Sequence, residues 1–172
     1  PAAEPGHERG REIVAGGLKV TQTSRRGLEP VNAKLAGQVE YLRALLAQRL
    51  GPDHAFLLSE PVPLGQRSET AWFVEDGDRA VPLASLPEPE AQVARARVAE
   101  LVADIRKLAD TVERDGDAGR DLARALRDAL VVPDGDRVWL VDQRPTLVDW
   151  GWKPAHEGSV AADILDVIAP KV

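Results

Sequence analysis

Residues 138–150, Val138-Trp139-Leu140-Val141-Asp142-Gln143-Arg144-Pro145-Thr146-Leu147-Val148-Asp149-Trp150, decide the fold class. Val138 to Val141 and Thr146 to Trp150 are short runs rich in β-branched and aromatic residues, and Asp142-Gln143-Arg144-Pro145 between them carries turn chemistry. The pattern predicts an antiparallel hairpin with a four-residue connection. Arg144 falls at its turn. Trp150 and Trp152 are two positions apart, so an extended segment places both on one face.

Outward from the hairpin the pattern turns helical. A helix is predicted from about Ala118 to Val131, with Leu122, Leu126 and Leu130 on one face. A longer one precedes it, ending near Arg114, with Val98, Leu101, Ile105, Leu108 and Val112 at alternating spacings of three and four. Ser85-Leu86-Pro87-Glu88 has capping-box spacing at its start, and the break at Gly116 predicts an antiparallel helix pair. Three β-like runs lie earlier: His54–Leu58, Ala71–Glu75 and Arg79–Leu83, the last confined to an edge by Pro82. Before them, Leu35, Val39, Leu42 and Leu46 form one stripe of a helix over 31–50, with Asn32 as its N-cap and Gly51-Pro52 as its stop. Residues 18–22 alternate as a short edge strand. Residues 1–17 read as a flexible leader, and residues 153–172 as a tail with a short helix capped by Ser159. Short connections between β runs favour antiparallel pairing. The expectation is one α+β domain over 18–152: a small antiparallel sheet of about four to five strands, packed on one side by amphipathic helices.

Composition narrows the function classes. The 172 residues carry 22 basic and 28 acidic side chains, a net charge of −6, which disfavours nucleic acid and polybasic membrane anchoring. No cysteine is present, so disulfides, Cys-ligated zinc and a thiol nucleophile are excluded. No apolar run reaches the ~18 residues of a membrane span, and the start of the chain lacks a signal-peptide layout, which predicts a cytoplasmic protein without membrane insertion.

Catalytic constellations are sparse. His54 could be joined to Ser59 or Ser68 and an aspartate, but no nucleophile-elbow sequence surrounds either serine. Asp76/Asp78 and Asp134/Asp136 flank glycines as turn residues do, and neither pair continues as a calcium loop. No metal or cofactor is expected. The four tryptophans are more informative. Trp72 and Trp139 read as core, whereas Trp150 and Trp152 are equally open to burial and to recognition, because Trp and Arg dominate binding hot spots.

These motifs in order, LKV at 18–20, PVNAKLAGQVEYLRALLAQRLG at 30–51, the Trp72-Phe73 strand with VPLASLPEPE at 81–90, and LVDQRPTLVDWGW at 140–152, resemble the SrfA-like family. That family is the first component of bacterial SrfA/SrfB/SrfC putative virulence-factor operons, and the resemblance covers about residues 18–152. Its most specific piece runs from Trp139 to Gly151, a hairpin that carries a proline and ends in Trp-Gly. The resemblance implies neighbouring large components, one like an actin- or chaperone-type ATPase and one long-helical or GTPase-like, and it carries over no catalytic residues.

The reading is a non-enzymatic assembly subunit or adaptor that docks onto a larger bacterial, virulence-associated complex, with a nucleotide-hydrolysing component of the same operon as partner. Trp150, Trp152 and Arg144 are the candidate partner-binding residues. Two alternatives stand beside it: a small hydrolase or ligand-binding enzyme using His54, and a scaffold that self-associates through the long helix.

Overall fold

The computed structural model describes residues 17–65, 68–156, 158–159 and 162–170; the predicted leader, apart from Gly17, lies outside them. The chain is α+β, and its strands are shared among several small antiparallel sheets rather than one. β1 (Leu18–Ser24), β3 (Glu60–Pro63) and β4 (Glu69–Val74) form the order β1-β4-β3. β5 (Ala80–Pro82), β7 (Val138–Val141) and β8 (Arg144–Leu147) form β5-β7-β8, with β5 on the edge where Pro82 requires it. Two-stranded pairs join β2 (Leu28–Pro30) to β9 (Trp152–Pro154) and β6 (Val131–Val132) to β10 (Ala162–Asp163). Strands of two to seven residues cannot make one wide sheet, and Pro30, Pro61, Pro63, Pro82, Pro145 and Pro154 remove ladder donors along them.

The helical expectations hold where the apolar period is long. α3 (Glu88–Val112) and α4 (Gly116–Asp128) are the predicted pair. At their junction a Cβ on Gly119 would collide with the Val112 carbonyl oxygen, so only glycine lets α4 begin against the end of α3. Val98, Leu101, Val102 and Ile105 are fully enclosed, which places the heptad-like stripe inside the molecule's own core and leaves it unavailable for a coiled coil. α1 (Val39–Arg49) is shorter than predicted. A separate 3-10 turn at Leu35–Gly37 precedes it, and Asn32 caps no helix: its Oδ1 accepts the Lys34 N–H at 3.0 Å, and its Nδ2 donates to Asp128 at 3.1 Å. Leu35, Leu42 and Leu46 are nevertheless buried together.

Several local expectations are overturned. His54–Leu58 is not a strand; α2 (Pro52–Phe56) starts on Pro52, whose missing N–H is harmless in a first helical turn. Residues after it run beside β8, joined by one parallel bridge from Leu58 to Leu147. Thr146 Oγ1 donates to the Phe56 carbonyl at 2.7 Å, the Leu147 N–H to the Leu57 carbonyl at 2.7 Å, and Ser59 Oγ to the Leu147 carbonyl. An apolar run buried on every side has the composition of an inner strand whatever its backbone does. Ser85 forms no capping box and donates back to the Pro82 carbonyl at 2.8 Å. The hairpin connection is two residues, not four: Asp142 and Gln143 take φ of 49° and 74°, the mirror-image turn whose twist suits antiparallel strands. Asp142 is fixed there because its carboxylate accepts the N–H groups of Asp78 and Arg79. In the tail, Asp163 rather than Ser159 caps α5 (Ile164–Val167), through the Leu165 N–H at 2.8 Å, and Ile164 is buried.

Candidate functional site

The hairpin delivers its last residues to a buried carboxylate. Asp149 has φ of 51° and its side chain is fully enclosed. Its oxygens accept from Thr23 Oγ1 at 3.0 Å and from Arg137 Nη1. Thr23 Oγ1 in turn accepts from Trp72 Nε1 at 2.8 Å, and Arg137 also makes a fork onto Asp134 with both contacts at 3.0 Å. Arg25 Nε lies 3.8 Å from Asp149, a coulombic contact too long for a hydrogen bond. Burial pushes the Asp149 carboxyl above its ordinary range, against the pull of Arg137, Thr23 and Arg25.

Arg25 carries this network to the surface. Its guanidinium carbon lies 5.2 Å from the Trp72 ring centre and 4.2 Å from that of Trp152. Trp152 is half-buried on β9, whose neighbour β2 supplies Glu29 to Lys153 at 3.5 Å. The outcome for the three predicted anchors differs. Trp152 keeps an exposed part. Trp150 is 3% exposed, donates its indole N–H to the Ser59 carbonyl at 2.9 Å and packs 6.5 Å from Trp72, so it is core and not a docking residue. The cause is the left-handed pair Asp149 and Gly151 (φ 81°), which turns the chain on either side of Trp150 and breaks the extended geometry that would have put both indoles on one face. A Cβ at Gly151 would also meet Leu35 Cδ1 at 2.8 Å.

Arg144 is already engaged within the molecule. Its guanidinium bonds Asp53 and Asp76, each at 3.2 Å, and lies 3.8 Å from the Phe56 ring centre. Arg97 holds the other Asp53 oxygen at 2.9 Å. The Arg97 hydrogen bond, opposed by burial and aided by the Arg144 charge, keeps the Asp53 carboxyl below its ordinary value. Asp134 is also lowered: burial would raise it, but Arg137 and the Asp136 N–H prevail. Both groups ionise more readily when folded. Their stabilisation is complete above the unfolded value and is lost as acid titrates the folded carboxylates, while Asp149 works in the opposite sense. Urea unfolding at a series of pH values should therefore show stability falling below about pH 4, with a shallower acid limb in Asp53→Asn. An unchanged acid limb would show that the Asp53 pairs are solvent-screened.

His54 is enclosed and its Nε2 lies 2.8 Å from Asp104 Oδ2. Among the described residues no hydroxyl is hydrogen-bonded to it, and Ser59 spends its own on Leu147. The described His, Asp and Glu side chains form no group of three that could hold a metal ion. A surface depression of about 530 Å³ lies between α3, α4 and β10; its arginines are paired, Arg106 with Asp163 and Arg127 with Asp110, each at 2.6 Å. No described helix is long and apolar enough to cross a membrane.

Sequence reasoning missed Thr23, Arg25 and Asp149; the first two lie far along the chain from the third, and no local pattern marks them. It also passed over Tyr41, Ala44 and Leu45, whose i, i+3, i+4 spacing was legible and which line the outward side of α1, with Tyr41 57% exposed. No protein-family model, curated protein or solved structure matches this chain.

Proposed function

We propose that the chain is a non-enzymatic docking subunit that binds a larger bacterial protein partner through the layer formed by Arg25 and Trp152. The observation that carries this reading is the Trp152 indole, partly exposed and faced at 4.2 Å by the Arg25 guanidinium, whose Nε lies 3.8 Å from the buried Asp149. Tryptophan and arginine are the residue types on which binding energy concentrates. Arg25 and Trp152 are ordered before any partner arrives, so less freedom is lost on association. The resemblance of residues 18–152 to the SrfA-like family supports a place in a virulence-associated assembly, with a nucleotide-hydrolysing component of the same operon as partner. Trp150 and Arg144 have no part in this docking.

Affinity purification of the natively expressed chain, followed by mass spectrometry, tests the reading. Trp152→Ala should stay folded and lose the co-purifying partner, with binding weakened about 30-fold or more, the effect of removing a hot-spot side chain. Retention of the partner by Trp152→Ala, together with its loss in Tyr41→Ala, would move the docking surface to the outward side of α1. Turnover of a substrate by the purified chain alone would overturn the non-enzymatic reading.

A further inference from the structure

The open edges of the small sheets share a feature that register makes quantitative. In an antiparallel pair, residues alternate between those whose N–H faces the partner strand and those whose N–H faces away. β3 pairs with β4 as Glu60 with Phe73, Pro61 with Trp72, Val62 with Ala71 and Pro63 with Thr70. The next residue, Leu64, donates its N–H inward to the Glu69 carbonyl at 3.0 Å, which fixes the phase: positions 60, 62 and 64 face β4, and positions 61 and 63 face outward. Both outward positions are proline. Among the described residues no strand pairs with the outer edge of β3, which presents carbonyl oxygens and no N–H donor.

β2 reaches the same state by another route. The Val31 N–H donates to the Gly151 carbonyl at 2.9 Å, so Leu28 and Pro30 face away from β9. Pro30 has no donor, and the Leu28 N–H is already bonded to the Arg25 carbonyl at 2.9 Å. β1, the opposite edge of the β3 sheet, is defended differently, by a register shift between Lys19 and Thr21 and by the exposed Lys19. Bulges, lysine and proline are the recognised means of keeping an edge from templating another strand.

We infer that Pro61 and Pro63 are gatekeepers that prevent strand addition between two copies of this chain. The same edge from a second copy, related by a two-fold axis, is the natural occupant, because an antiparallel β3–β3 pair is self-complementary once donors exist. Docking onto partners is thereby left to side-chain surfaces rather than to backbone edges.

The test restores the donors without adding apolar surface. In Pro61→Thr/Pro63→Thr, sedimentation velocity over a concentration series should show a dimer at concentrations where the parent chain has no such species, self-association strengthening more than about tenfold from the new hydrogen bonds. Hydrogen exchange should show the new amides at positions 61 and 63 protected in the dimer. Circular dichroism and thermal melting establish that the variant is folded, and the single variants P61T and P63T, each restoring one donor, carry the same test with a smaller expected gain should the double variant unfold. Folded variants that sediment as the parent does at every concentration would overturn the inference. So would a larger species in which those amides exchange freely.

Discussion

Trp150→Ala is expected to lower the unfolding free energy by about 3–5 kcal/mol, the range for truncating a buried aromatic side chain. The indole is 3% exposed and packs against Trp72, and its N–H satisfies the Ser59 carbonyl. Truncation opens a cavity and also leaves that carbonyl without its donor. For a domain held by about 5–15 kcal/mol in total, this removes about a fifth of the margin or more. Trp150→Phe keeps most of the volume and should cost less, about 1–3 kcal/mol for the lost donor. Trp152→Ala should cost less than Trp150→Ala because part of that ring already meets water. Equilibrium urea unfolding of the three variants checks the ranking. Equal losses for Trp150→Ala and Trp152→Ala would mean that the two indoles are buried alike and that the division between core and docking residue is wrong.

Asp149→Asn is the second large effect, with an expected loss of about 3–5 kcal/mol, the cost of removing one partner from a buried ion pair. Asparagine tolerates the left-handed backbone that Asp149 adopts, so the change isolates charge from conformation. Burial works against the Asp149 carboxylate, and the loss therefore comes from the arginines it would abandon. Arg137 retains Asp134, whereas Arg25 has no other acid within reach among the described residues. The test is a double-mutant cycle with Arg25→Met, which removes the stranded guanidinium and keeps an apolar stem over the tryptophans. The double variant should recover part of the loss, because replacing a buried charge network by apolar groups is often neutral. Strict additivity would show that Arg25 and Asp149 are not energetically coupled, and would remove the support that Asp149 gives to Arg25 in the proposed docking layer.

The helices were legible wherever a long apolar period met a clear terminator. The α3–α4 pair follows from Val98 to Leu126 repeating at helical spacing, and the core reads that stripe as the sequence does. The hairpin was legible in its two strands and not in its turn, because left-handed conformations at Asp142 and Gln143 depend on Asp142 gripping the Asp78 and Arg79 amides 64 and 63 residues away in sequence. His54 to Leu58 misled for a related reason. Enclosure by β8 and α3 selects apolar side chains without dictating a strand.

The candidate site shows the same division. The sequence pointed to tryptophan and arginine only as candidate anchors for the proposed recognition surface. Trp139, read as core, is only partly buried, and within the Trp150/Trp152 pair the indole that meets solvent was settled by two backbone angles, at Asp149 and Gly151, that turn Trp150 inward and leave Trp152 beside Arg25. The amino-acid order by itself determined an α+β class, an antiparallel helix pair and the edge position of the Pro82 strand, because these depend on local period and on a missing N–H. Tertiary structure alone decided the distribution of strands among small sheets and the meeting of Thr23, Arg25, Arg137 and Asp149. Contacts between residues more than a hundred positions apart are fixed by burial and charge pairing across the whole core, and no short window of sequence contains them.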